Sequence, residues 1–145
     1  MIISLLLAST LAAAAPKPFT QVASVEGVTE YRLPNGLRVL FVPDESVSNL
    51  TVNLTVLVGS RHEGYGEKGM AHLLEHMLFK GSTKFKDPKK EMGARGASWN
   101  GTTREDRTNY FETLTASDAN LDFTIRFEAD RLMNSFVDKK DLDTE

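Results

Sequence analysis

Cysteine is missing from all 145 residues of the sequence. That excludes a disulfide framework and any zinc site built from thiolates. Histidine is scarce, with three residues at positions 62, 72 and 76, so a metal site has to be assembled from very few imidazoles and from carboxylates. Neither sign of charge dominates: 17 Lys and Arg stand against 20 Asp and Glu, for a net charge of -3. The basic surplus that accompanies nucleic-acid binding is absent, as is a polyacidic tail, and no nucleic acid is expected as a partner. Lys84, Lys86, Lys89 and Lys90 are interrupted by Asp87 and read as solvated surface. The apolar run Ile2 to Leu11 is too short for a comfortable membrane span. It is followed by Ala12-Ala13-Ala14, a small-x-small cleavage pattern, so residues 1–14 read as a secretory signal, although no Lys or Arg precedes the run. The expectation is an exported protein, periplasmic or secreted, with no stable membrane span after signal cleavage.

What remains is ordinary globular composition, 41% hydrophobic and 26% charged, at a length that suits one domain with a real core. Residues 15–28 read as an extended lead-in and residues 29–145 as the domain. Strand-like runs at Thr29 to Leu33 and Leu37 to Val42 flank Pro34-Asn35-Gly36, and Asn-Gly is a strong hairpin signal. From Leu50 to Val58 apolar and polar residues alternate, which predicts a half-buried strand. A helix is predicted from Met70 to Lys80, closed by Gly81, and a shorter one from Asp87 to Arg95. Two further strands are predicted at Ser98 to Thr103 and Asn109 to Leu114. Ser117 suits the N-cap of a long helix reaching about Asn134, with Leu121, Ile125, Ala129, Leu132 and Met133 at helical spacing, and Lys139 opens another helix. This order gives an α+β fold rather than a βαβ repeat.

Chemistry concentrates in His72-Leu73-Leu74-Glu75-His76. At about 100° per residue the two His lie within roughly 40° of each other on a helix, and Glu75 falls on the same face. Met70, Leu73, Leu74 and Met77 are expected on the opposite, packing face. Two imidazoles at i and i+4 can reach one Zn²⁺, and a carboxylate beside them that is not itself a ligand can take a proton from a zinc-activated water. H-x-x-E-H is the inverzincin order. The plain alternative is a solvated polar face on an exposed helix.

The residues around the motif resemble a known family. Gly59-Ser60-Arg61 and the run from Gly69 through His72, Glu75 and His76 to Gly81 are similar to the pitrilysin/insulinase family of zinc metallopeptidases, which includes the mitochondrial processing peptidases. Leu33-Pro34-Asn35-Gly36-Leu37-Arg38-Val39, the segment Gly96 to Thr103 around Trp99-Asn100-Gly101, and Phe127-Glu128-Ala129-Asp130-Arg131-Leu132 extend the resemblance from about Val28 onward. The resemblance implies a layered, mainly antiparallel sheet with helices packed on one side. It implies His72 and His76 as zinc ligands and Glu75 as the general base. Asn100 and Gly101 would lie on an edge strand that pairs with an extended peptide or an unfolded protein segment. Gly101 stands where relatives often have Ala, and the plain alternative for Asn100-Gly101 is a turn. The resemblance also implies a third zinc ligand, a Glu on a helix past Glu145, and a homologous second half or partner subunit. On this reading residues 29–145 are the N-terminal part of a zinc peptidase domain, incomplete at its C-terminal side. Glu128 and Glu145 do not fit the spacing of the missing ligand, and substituting either is expected to leave zinc affinity unchanged.

Other residues carry less. His62, in a glycine-bounded loop, is not expected to bind metal, and Glu63 and Glu67 read as surface charges. Arg126 and Arg131, alternating with Glu128 and Asp130, are expected in exposed ion pairs worth tenths of a kcal/mol. Trp99 is expected as a sheet aromatic rather than a specificity pocket. The leading function is a zinc metalloendopeptidase. The alternatives are a non-catalytic partner or structural subunit of the same family, and a two-histidine metal chaperone.

Overall fold

A computed structural model describes residues 19–145. The signal reading of residues 1–14 lies outside the described residues. The chain divides into two compact units, with the boundary between Ser46 and Val47.

The first unit is a three-stranded sheet in the order β1-β2-β3, formed by β1 (Thr20–Val25), β2 (Val28–Arg32) and β3 (Arg38–Phe41). Neighbouring strands are antiparallel. The hairpin at Asn35-Gly36 forms as the dipeptide predicts: Leu33 N–H reaches Leu37 O at 2.9 Å and the Asn35 side-chain oxygen accepts Leu37 N–H at 3.1 Å. The lead-in, by contrast, contains a strand of its own. Glu26 and Gly27, at φ 49° and 85°, make a tight reversal that folds β1 back on β2. Two consecutive positive φ angles suit the right-handed twist of a two-residue hairpin.

The second unit holds a sheet in the order β4-β6-β5, made of β4 (Asn49–Val56), β5 (Ser98–Thr103) and β6 (Thr108–Thr115), together with helices α1 (Met70–Met77), α2 (Pro88–Ala94), α3 (Asp118–Asn134) and α4 (Lys139–Leu142). Both strand pairs are antiparallel, and Val52, Leu54 and Val56 of β4 stand opposite Glu112, Tyr110 and Thr108 of β6. On the other side of β6, Trp99, Gly101 and Thr103 of β5 oppose Glu112, Tyr110 and Thr108. Because side chains alternate along a strand, these residues share one face. Phe79, just past α1, meets Tyr110 on that face with ring centroids 5.9 Å apart, and Arg131 of α3 lies 4.4 Å from the Tyr110 ring. Both helices therefore cover the same side of an antiparallel sheet. The core continues into Met92, Phe123 and Phe127, with Trp99 and Phe85 packed against them. Trp99 is thus a sheet aromatic.

Three expectations need correction. Helix α1 ends at Met77; Phe79 and Lys80 continue in a tighter turn through bonds to His76 O and Met77 O. Of the expected packing face Met70, Leu73, Leu74 and Met77, only Met77 is buried and Leu73 is half-buried; Met70 and Leu74 are exposed, and Glu75 and Leu78 join Met77 in the interior. Helix α3 is rotated similarly. Leu121, Ile125, Ala129, Leu132 and Met133 are exposed, and Phe123, Thr124, Phe127, Glu128, Asp130 and Arg131 are buried. Phe123 and Phe127, spaced i, i+4, each carry a large apolar area and pack in the core with Trp99 of β5.

Arg131 is accordingly no surface charge. Its side chain is 2% exposed, donates to Glu112 Oε1 at 2.8 Å and to Glu128 Oε2 at 3.2 Å, and makes a second, closer contact with Glu128. Glu112 carries two neighbours and one shared cation, and burial, followed by the hydrogen bond and charge of Glu128, pushes its carboxyl up to about 9. Arg126, paired to Asp122 on the outer face, behaves as expected of an exposed pair.

Candidate metal centre

Helix α1 brings His72, Glu75 and His76 together, with one donor atom from each within 4.8 Å of the others. The two Nε2 atoms face each other at 3.1 Å, and the rings cross at 88°. Two nitrogens bound at 2.0–2.1 Å to a tetrahedral zinc would stand about 3.3 Å apart, so the observed spacing fits that ion with little adjustment. Neutral imidazoles and a carboxylate, with no thiolate, are a donor set suited to zinc among several transition metals.

Glu75 is buried between α1 and β5, and the sheet gives it a defined place. Thr103 donates its hydroxyl to Glu75 Oε2 at 2.5 Å. Opposite, Gly101 leaves room: a Cβ there would lie 2.9 Å from Glu75 Oε1 and equally close to the Phe79 ring. The absent side chain lets α1 settle onto the strand. Gly101 belongs to the face that meets α1, while Asn100 belongs to the opposite row of the pleat, where its Oδ1 accepts Gly101 N–H at 2.9 Å. Both sit on β5, which pairs with β6 on one side. They lie in a strand, not a turn, and that strand is at the edge of the sheet.

His76 has a second partner. Its Nδ1 lies 2.7 Å from Glu145 Oε2, while Glu145 Oε1 is paired to the Lys80 ammonium. The Lys80 hydrogen bond, then that of His76, holds the Glu145 carboxyl below the usual range. A carboxylate on Nδ1 favours the tautomer with its proton there and leaves the Nε2 lone pair free. Glu145, not expected to serve as a ligand, touches one of the imidazoles. Glu128 is committed to Arg131 and does not join the cluster. His62 is likewise apart, its Nδ1 accepting Gly59 N–H at 3.1 Å.

Glu63 is also more than a surface charge. Its two oxygens accept the N–H groups of Ala71 and Gly69, each at 2.9 Å, and these bonds, Ala71 first, lower its carboxyl from the ordinary value. Glu63, His72 and Thr103 line one cleft, with Arg104 and Glu105 at the end of β5. A second cleft is lined by Glu75, His76, Phe79, Lys80, Asn100 and Glu145. Thr103 and Glu145 reach the site from distant parts of the chain and Glu63 from the loop before α1, and spacing along one helix could not have indicated them. Thr103 was the most accessible from sequence, since it lies two residues past Gly101 on the same pleat row.

Comparison with known proteins gives a consistent result. The family described as Insulinase (Peptidase family M16) matches residues 38–145. A protein of Rickettsia bellii named an uncharacterized zinc protease is 37% identical over 107 residues, which cover 72% of this chain and 25% of that protein. The beta subunit of the rat (Rattus norvegicus) mitochondrial-processing peptidase is 34% identical over 130 residues, 88% of this chain and 24% of the subunit. Among solved structures, the crystal structure of pitrilysin superimposes with a TM-score of 0.69 at 27% identity, covering 91% of this chain and 13% of that one. The chain thus spans about a quarter or less of the length of these proteins.

Proposed function

Because the chain belongs to the insulinase family, peptidase family M16, we propose that it carries the metal-binding part of a zinc-dependent metalloendopeptidase that hydrolyses bonds in extended peptides or unfolded protein segments. The observation that carries this reading is the convergence of His72, Glu75 and His76 beside the edge strand β5. The names of relatives, zinc protease and processing peptidase, agree with it.

In this reading His72 and His76 would hold the zinc, with the remaining protein ligand supplied from past Glu145. Zinc, when bound, supplies Lewis acidity and lowers the pKa of water toward about 7. The open edge of β5 at Asn100 and Gly101 binds the peptide backbone as an added strand, which places a scissile carbonyl alongside α1. Glu75 takes the proton from the attacking water on Oε1 and passes it to the leaving amine, while Thr103 holds Oε2 still. Glu145 fixes the His76 ring. A homologous second half or partner subunit covers the substrate. Export to the periplasm or the exterior is proposed from residues 1–14; no helix among the described residues is long and apolar enough to cross a membrane.

The test is zinc binding, measured by competition with a chelator, alongside hydrolysis of an unfolded peptide, in a protein extended past Glu145 to include the remaining ligand. His72→Ala and His76→Ala should each abolish tight binding, whereas Glu75→Gln should keep the metal and lose hydrolysis. A wild-type chain that takes up no zinc would favour the non-catalytic subunit instead.

A further inference from the structure

Helix α1 is two turns long, and its N-cap is Gly69, in the left-handed region at φ 92° with no side chain to cap anything. His72 is the third helical residue, so it lies in the turn whose backbone N–H groups have no intrahelical partner. An uncapped first turn frays, and a fraying turn would carry His72 away from His76. Three of the donors at this end are nonetheless satisfied. Met70 N–H reaches Glu67 O at 3.0 Å, and Gly69 and Ala71 N–H both go to the Glu63 carboxylate.

Glu63 is itself anchored at some distance from the helix. It follows a 3-10 turn at Ser60–His62, in which Ser60 and Arg61 N–H bond to Arg104 O and Glu105 O at 3.0 and 2.9 Å. Arg104 and Glu105 directly follow Thr103, the residue that donates to Glu75. A continuous hydrogen-bonded bracket therefore runs from the end of β5, through the 3-10 turn and Glu63, to the start of α1. It sets the first turn of the helix against the same strand that positions Glu75.

We propose that Glu63 is a positioning residue of the metal centre: by gripping Gly69 and Ala71 N–H it fixes the His72 turn relative to His76. This rests on the metal reading above. Glu63 touches neither metal nor substrate; it acts through the backbone on either side of Met70. A carboxylate is the group this needs, because two oxygens at fixed separation meet two N–H groups, and its charge suits the positive end of a helix. A glutamine offers one acceptor oxygen and opposes the second N–H with another donor.

Ordinary capping would predict a loss of stability alone, so the experiment sets Glu63→Ala against Ser117→Ala, which removes the cap on Asn120 N–H of α3, a helix with no ligand. Zinc affinity is measured by chelator competition on the same protein extended past Glu145, and amide hydrogen exchange is measured on its metal-free form. Expected for Glu63→Ala is a zinc affinity lowered about 10-fold or more, in the range known for lost supporting partners of ligands. Exchange at Gly69 and Ala71 should also speed up, with Glu63→Gln in between. Ser117→Ala should lower the melting temperature while leaving zinc affinity and α1 exchange unchanged. Equal, unaltered zinc affinity in both variants overturns the proposal. If the wild-type chain itself takes up no zinc, the metal reading fails separately; unchanged protection of Ala71 in Glu63→Ala then sinks the bracket on its own.

Discussion

Glu112 and Glu128 share the guanidinium of Arg131 in the interior, and two buried carboxylates cannot both stay ionised on one cation at low cost. Burial, then the hydrogen bond and charge of Glu128, pushes the Glu112 carboxyl up to about 9. Above the ordinary value of 4.5 the unfolded chain has released this proton and the folded chain has not, so the unfolded state binds fewer protons and stability falls as pH rises. The contribution of Glu112 is therefore full below about pH 4.5 and lost progressively up to about pH 9. Glu112→Gln is permanently neutral and should flatten that decline; urea denaturation across this window in both proteins measures it, and parallel curves would refute the assignment. Glu128→Gln removes the charge that balances Arg131 and should cost about 3–5 kcal/mol. At the site, Glu145→Gln is expected to weaken zinc binding about 10-fold or more through the freed His76 ring, read by the same competition assay. This reverses the expectation drawn from spacing alone. His72, Glu75 and His76 were legible because one helix turn sets their geometry. Glu145, Thr103 and Glu63 were not, because only the packed sheet and loops bring them to that helix.

At the scale of elements, existence was more legible than orientation. Ser117 caps α3 through Asn120 N–H at 3.1 Å, and the helix runs to Asn134 as its spacing indicates. Its two faces, however, both satisfy a helical period. Leu121, Ile125, Leu132 and Met133 form one stripe, and Phe123, Phe127 and Arg131 form the other. Periodicity cannot choose between them; tertiary packing does, because Phe127 meets Phe85 at 5.2 Å and Phe123 at 5.9 Å while Arg131 lies over Tyr110 of β6. Phe127, 1% exposed, should accordingly cost about 3–5 kcal/mol on truncation to Ala. Ile125, 54% exposed, should change stability by no more than about 0.5 kcal/mol in the same substitution. Chemical denaturation of the two variants separates the readings, and the reverse ranking would mean that α3 packs by its aliphatic stripe. The short α1 shows the same division. Its residues were readable, but Glu75 facing the sheet and Leu74 facing solvent followed from Gly101, whose lack of a side chain admits the carboxylate.

For the whole molecule, every residue placed at the metal centre follows the division at Ser46 and Val47. Glu63, His72, Glu75, His76, Thr103 and Glu145 all belong to the second unit, as do the strands β4, β6 and β5 that carry the site. That sheet is hydrogen-bonded within the unit, and the aromatic core of Phe85, Phe123 and Phe127 is there too. A unit of about 100 residues is large enough to bury a core of its own. A chain starting at Val47 is therefore expected to fold and to bind zinc with the affinity of the whole chain. Its stability should depend on the metal by mass action: zinc at 100 times the dissociation constant should add about 2.7 kcal/mol to unfolding. The two measurements divide the possible failures. A shortened chain that melts cooperatively but binds zinc more weakly would show that the preceding sheet helps to shape the site. One that fails to fold would show that the second unit borrows stability from residues before Val47. Equal affinity and an equal zinc-induced rise in melting temperature would show that the metal centre, with its bracket and its edge strand, needs nothing before Val47.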